Sequence, residues 1–144
     1  MTTSVPPPAA PFGQCAYLYV GTTDVSASVD FYQHALGAPL VWRFHAFGTD
    51  VAAVRITPDA PLVLLAGHRP VPSCLPIWTA PDLEALVQRL RSEGFTPGEE
   101  VGTPDGPIQV LVDPSGNEIG FLRPDRPGAL ESAYADPSNT NAVH

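Results

Sequence analysis

The residues able to do chemistry fall mostly on short alternating segments. In LVWRFHAF (40–47) Arg43 and His45 stand two apart, so a strand puts both on one face. A histidine titrates near neutral pH and can act as general base, while a guanidinium beside it can stabilise an enolate or phenolate. Arg55 lies near the end of VAAVRI, Gln109 and Leu111 alternate within IQVLV, and Glu118 opens EIGFL with Gly120 two residues on. Glu118, or Tyr17 of CAYLYV, could supply an acid. The same residues have plainer uses. Arg43 and Arg55 can pair with Glu118 or surface acids, and His45 can be a hydrogen-bonded structural histidine. His34 falls mid-helix beside Gln33, His68 follows a strand and His144 ends the chain, so the imidazoles form no ligand cluster for a metal.

These positions need a scaffold. CAYLYV (15–20) reads as a strand, and Asp24 caps a helix whose apolar residues Val25, Val29, Tyr32 and Leu36 share a face before Gly37 ends it. Strands follow at 40–47, 51–56 and 62–66. The same order then recurs: strand 74–79, a helix capped by Asp82 and ended by Gly94, a weak strand at 95–101, and strands at 108–112 and 118–122. DPSG (113–116) supplies the turn before the last one, with Asp, Pro and Gly at the positions a type I turn favours. Asp24 matches Asp82, Gly37 matches Gly94 and Leu62 matches Glu118, a repeat of about 57 residues. The expected fold class is α+β: two βαβββ modules in tandem (14–68 and 73–123) forming a cup-shaped mixed sheet with helices on the outer face. A helix covers only one face of each sheet, so the other must be covered or form a cavity. Residues 1–13 form a Pro-rich segment. The tail 124–144 is polar and reads as disordered or as an arm on a partner, with Leu130 and Tyr134 as its anchors.

DVSASVDFYQHALGAPLVW and DPSGNEIGFL resemble the helix and closing-strand signatures of the vicinal oxygen chelate superfamily, which includes glyoxalases, extradiol dioxygenases and bleomycin-resistance proteins. The resemblance covers roughly 15–123. It implies a metal held from the first and last strand of each module, at positions corresponding to Tyr17, Leu64, Leu75 and Gly120. Leucine and glycine carry no donor atom, and a lone phenol does not retain a divalent ion. No metal and no other cofactor is therefore expected. Gly120 stands where the family usually has a Glu ligand, and it either leaves room for a ligand or relieves packing.

Tyr17 at a ligand-equivalent position points into the cup, and Tyr19 with it. If the more apolar set of each remaining strand meets its helix, Arg43, His45, Arg55, Gln109 and Leu111 also face inward, joined by Glu118 and Gly120. Trp42, Phe44 and Trp78 would then be core. The expected ligand site is Tyr17, Tyr19, Arg43, His45, Arg55, Gln109, Leu111, Glu118 and Gly120, with His45, Arg43 and Glu118 catalytic if the protein is an enzyme.

A formal charge of −8 with only seven basic residues leaves no run for phosphate contacts, so nucleic acid is not an expected partner. No apolar run approaches membrane-spanning length. The N-terminus lacks an export signal, and two cysteines make no disulfide framework, so a cytoplasmic protein with reduced Cys15 and Cys74 is expected. Two functions remain open. One is a metal-independent binder of an aromatic or peptidic natural product, acting in self-resistance or biosynthesis and pairing as a homodimer. The other is a metal-independent isomerase, lyase or cyclase using His45 as base.

Overall fold

Both helix starts in the repeat are capped as their residue types require. In the computed structural model, which describes residues 9–136, 138–140 and 142, Asp24 accepts from the Ala27 N–H and Asp82 from the Ala85 N–H, each at 3.0 Å. Helix α1 (Val25–Asp30) continues as a π-helical turn over Phe31–Ala35, and α2 (Leu83–Ser92) is regular. Eight strands surround them: β1 (Cys15–Gly21), β2 (Leu40–Ala46), β3 (Thr49–Val54), β4 (Leu62–Ala66), β5 (Cys74–Thr79), β6 (Glu100–Thr103), β7 (Gly106–Val112) and β8 (Glu118–Leu122). The strand expected at 95–101 forms only from Glu100. Gly98 passes so close to the Val110 carbonyl that a Cβ there would lie 2.0 Å from its oxygen.

The strands make one curled mixed sheet in the order β2-β3-β4-β1-β5-β8-β7-β6. Each half repeats one plan: β1 runs parallel to β4, β5 runs parallel to β8, and β1 joins β5 antiparallel at the centre. That seam sets Tyr17 opposite Ile77 and Tyr19 opposite Leu75. It also sets Cys15 opposite Trp78 and Cys74 opposite Val20, at opposite ends of the ladder, and both thiols are free.

Strand alternation divides the core between two faces. On the convex side Val25 and Val29 of α1 pack on Ala52, Val54, Val63 and Leu65. Leu83 of α2 packs with Phe121, Ala80 and the partly buried Trp78 and Leu111. The concave side carries Trp42, Val51, Leu62 and Leu64 in the first half, and Leu75, Ile77, Ile108 and Leu122 in the second.

Here the tail departs from expectation. After Gly128, whose φ of 77° turns the chain sharply, residues Ala129–Ala135 form a third helix, α3, packed against β2 on the concave face. Leu130 is buried among Trp42, Leu62 and Leu64, and Tyr134 lies against Trp42 and Phe44. The two anchors dock on their own sheet. A seven-residue helix is too short to hold its shape in water, so docking is what makes this segment helical. Residues 1–8 of the Pro-rich segment, and His144, lie outside the described residues. No helix among the described residues is long and apolar enough to cross a membrane.

Candidate functional site

The concave face is apolar, with α3 packed over its β2 side, and the facing expected for two strands is reversed. In β2 it is Trp42 and Phe44 that turn inward. Arg43 and His45 point to the convex side, where Arg43 makes two bonds to the Asp50 carboxylate at 2.8 and 3.0 Å and donates to Ser26 Oγ of α1 at 3.1 Å. That pairing holds the Asp50 carboxyl below, and the Arg43 guanidinium above, their usual pKa ranges. His45 has a side chain 65% exposed, 3.6 Å from Asp50, and does not reach the cup. α1 packs on β3 and β4, leaving the outer face of edge strand β2 to solvent and polar residues.

β7 is reversed likewise. Gln109 is buried on the convex side, where its Nε2 donates to the Gly98 and Glu99 carbonyls, and Leu111 packs beneath α2. Ile108 takes the concave position. Gly120 does face inward, but a Cβ there would come within 3.1 Å of Ile77 and 3.4 Å of Ile108. The space a ligand was expected to use is filled by these two isoleucines.

Four expected residues do border the cup, at its two ends. At one end Tyr17 donates its hydroxyl to Asp105, a buried carboxylate in the turn between β6 and β7. The other oxygen of Asp105 accepts the Leu130 N–H of α3 at 2.9 Å. Burial, reinforced by Asp105, pushes the Tyr17 pKa well above the ordinary phenol value. Arg55 lies beside Tyr17 in a hollow of about 380 Å³ and meets Glu131 of α3 at 3.4 Å.

At the other end the Tyr19 hydroxyl shares a 3.2 Å hydrogen bond with His68 Nε2. The Arg69 guanidinium lies 5.9 Å from the Tyr19 ring centre and pairs with Glu118 at 2.6 Å. Burial pushes the Tyr19 pKa up to about 12, against the opposing pull of Arg69. Lost hydration, with Arg69 beside it, lowers the His68 pKa and favours the neutral imidazole. His68, weighed from the sequence only as a metal ligand, was not expected in the site, and neither Arg69 nor Asp105 was expected there at all. Each is a single polar residue in a turn or strand end, and only the curl of the sheet brings them to the tyrosines.

Between the ends, a cavity of about 200 Å³ is lined by Tyr17, Tyr19, Trp42, Phe44, Tyr134 and the β6–β7 hairpin. The indole Nε1 of Trp42 is buried here with no hydrogen-bond partner among the described residues. A larger hollow, about 690 Å³, lies on the convex side between Phe12 and α2, away from these groups. Its charges are those of the α2 surface, and no buried polar group converges on it.

A divalent metal does not fit the cup. Tyr17, Leu64, Leu75 and Gly120 supply one donor between them, and that hydroxyl is committed to Asp105. No three His, Cys, Asp or Glu side chains come together among the described residues.

The fold has close counterparts at low sequence identity. The methylmalonyl-CoA epimerase of Mycobacterium tuberculosis superposes with a TM-score of 0.70 at 19% identity, over 83% of this chain and 93% of that one. A Streptomyces coelicolor methylmalonyl-CoA epimerase variant, in complex with 2-nitronate-propionyl-CoA, gives 0.61 at 17% identity, over 77% and 96%. A halotolerant catechol dioxygenase gives 0.62 at 12%, over 75% of this chain and 39% of its own length. No curated protein matches the chain in sequence. The family model for the Glyoxalase/Bleomycin resistance protein/Dioxygenase superfamily matches residues 12–121, which takes in all eight strands of the curled sheet but its last residue. The chain is a member of that superfamily.

Proposed function

We propose that this protein binds an aromatic small molecule in its cup without a metal, as a sequestering or carrier protein for an aromatic or peptidic natural product. The observation that carries this reading is the lining: Tyr17 and Tyr19 of β1 and Trp42 and Phe44 of β2 border one concave cavity, with Val51 and Leu64 between the two aromatic pairs. Such a surface offers stacking area, with polar groups at its ends to orient a ligand. Tyr19, His68 and Arg69 present polar groups at one end, Arg55 at the other. A homodimer in the cytoplasm remains part of the proposal, without Leu130 and Tyr134 as its contacts.

The test is metal content together with thermal stability. Purified protein should carry no stoichiometric Zn, Mn, Fe or Ni, and its Tm should not move with chelator. About one tightly held metal per chain, with a Tm that falls on chelation, would overturn the metal-free reading, because a built site couples metal to stability.

A second reading, a metal-independent enzyme, is favoured by the Tyr19–His68 pair. With His45 on the convex face, the base in this reading becomes His68. A neutral imidazole bonded to a phenol, near a guanidinium, can accept a proton from a substrate beside Tyr19. His68→Ala separates the readings. In a binder it costs modest affinity, whereas in an enzyme it lowers turnover by roughly a hundredfold or more while binding survives.

A further inference from the structure

We propose that α3 is a displaceable lid that stands in for ligand in the empty cup, and that ligands larger than the closed cavity bind by driving it out. The inference rests on the cup being the binding site. Four observations carry it.

The first is position. Leu130 and Tyr134 occupy the aromatic concave face, with the Tyr134 ring 5.0 Å from Trp42 and 4.9 Å from Phe44. The second is size. Only about 200 Å³ remains between α3 and the sheet, against roughly 300–1,000 Å³ for pockets that enclose drug-sized molecules. A single small ring system fits under the lid, and a polycyclic ligand does not.

The third observation is the weakness of attachment. Seven residues form no stable helix by themselves, so α3 loses its structure when it leaves. Its polar ties include the Leu130 N–H to Asp105, the half-exposed Arg55–Glu131 pair, and the Asn139 amide donating to the Ala133 carbonyl at 2.9 Å. The first two lie at the end near Gly128, while at the far end the Tyr134 ring packs on Trp42 and Phe44 and Ala142 bridges to Phe44. The fourth is the Trp42 indole N–H, buried without an acceptor among the described residues. A buried donor left unpaired disfavours the closed state. It also defines the ligand: a planar aromatic molecule bearing an acceptor for the indole N–H, replacing Tyr134 on the Trp42 and Phe44 rings.

The experiment uses anilinonaphthalene sulfonate, a probe too large for the closed cavity, with three proteins: the full chain, a chain ending at Gly128, and full-length Tyr134→Ala. Affinity is read by fluorescence titration, and lid position by hydrogen exchange of the 129–135 amides in the full chain. Probe binding should speed exchange across 129–135 while slowing it in β1 and β5. Removing the competitor should tighten binding by roughly tenfold or more, since the open fraction scales the apparent affinity. If the shortened chain does not fold, Tyr134→Ala carries the comparison. Unchanged or slower exchange across 129–135 with probe bound overturns the lid. Equal affinity in the full chain and Tyr134→Ala overturns the lid but leaves the cup as the site. Binding by none of them overturns both.

Discussion

The two halves of the sheet share a plan and differ in what they place on the concave face. The first half sets Tyr17, Tyr19, Trp42 and Phe44 there, beneath a helix. The second sets Leu75, Ile77, Ile108 and Leu122 around Gly120, packed on one another. Their hairpin tips diverge as well. Phe47 and Gly48 join β2 to β3, and Phe47 is 93% exposed in a left-handed conformation. The equivalent Pro104 and Asp105 join β6 to β7, and Asp105 is buried, tying β1 to α3. The shared plan makes the cup, with aromatic side chains along one half and an aliphatic floor in the other.

The comparison breaks most readily at Trp42. Trp42→Ala removes the largest side chain of the aromatic half and should cost about 3–5 kcal/mol, read by chemical denaturation. A loss under about 1 kcal/mol would mean that α3 does not press on that face. On the floor, Gly120→Val should cost about 1–3 kcal/mol, because its Cβ crowds Ile77 and its branches have nowhere to go. A neutral or stabilising outcome would reveal a gap there and restore the reading of Gly120 as ligand room.

That reading shows where sequence reasoning held and where it stopped. Helix caps, the repeat and the strand order follow from local chemistry: Asp24 and Asp82 have a single evident use, and alternation marks CAYLYV and EIGFL. Facing in β2 and β7 does not follow locally. The rule that the more apolar set meets the helix assumes the other face is wet, whereas in β2 that face lies under α3 and in β7 it packs on Leu75, Ile77 and Leu122. Arg43, His45, Gln109 and Leu111 were therefore expected inward and lie outward. Leu130 and Tyr134 were legible as anchors, but nothing in a polar tail says which surface they grip. Pro104-Asp105-Gly106 reads as a turn, and turn composition does not say that its carboxylate is buried.

Asp105→Ala probes the join between the halves. It strands the Tyr17 hydroxyl and the Leu130 N–H together, and should cost about 1–3 kcal/mol with faster exchange in α3. No change in either would mean that the hairpin does not hold α3.

The smallest effect is the pH dependence of the two tyrosines. Their folded-state pKa values lie above the unfolded value near 10, so the fold favours the neutral phenols. Their contribution is fully present below about pH 10 and is lost as pH rises through about 12 for Tyr19, and higher for Tyr17. Phenolate absorbance followed alongside unfolding should show both titrating late, and ordinary titration near pH 10 would place them in water.

Calorimetric titration of chelator-treated protein with naphthol, small enough for the closed cavity, decides whether the cup binds an aromatic ring without metal. Saturable one-to-one binding is expected, unchanged by added Zn or Ni and unchanged in His45→Ala. Tyr19→Ala should weaken it by roughly 1–3 kcal/mol, the scale of a desolvated aromatic anchor. Binding that appears only with a divalent metal, or that survives Tyr19→Ala and is lost in His45→Ala, would contradict that expectation.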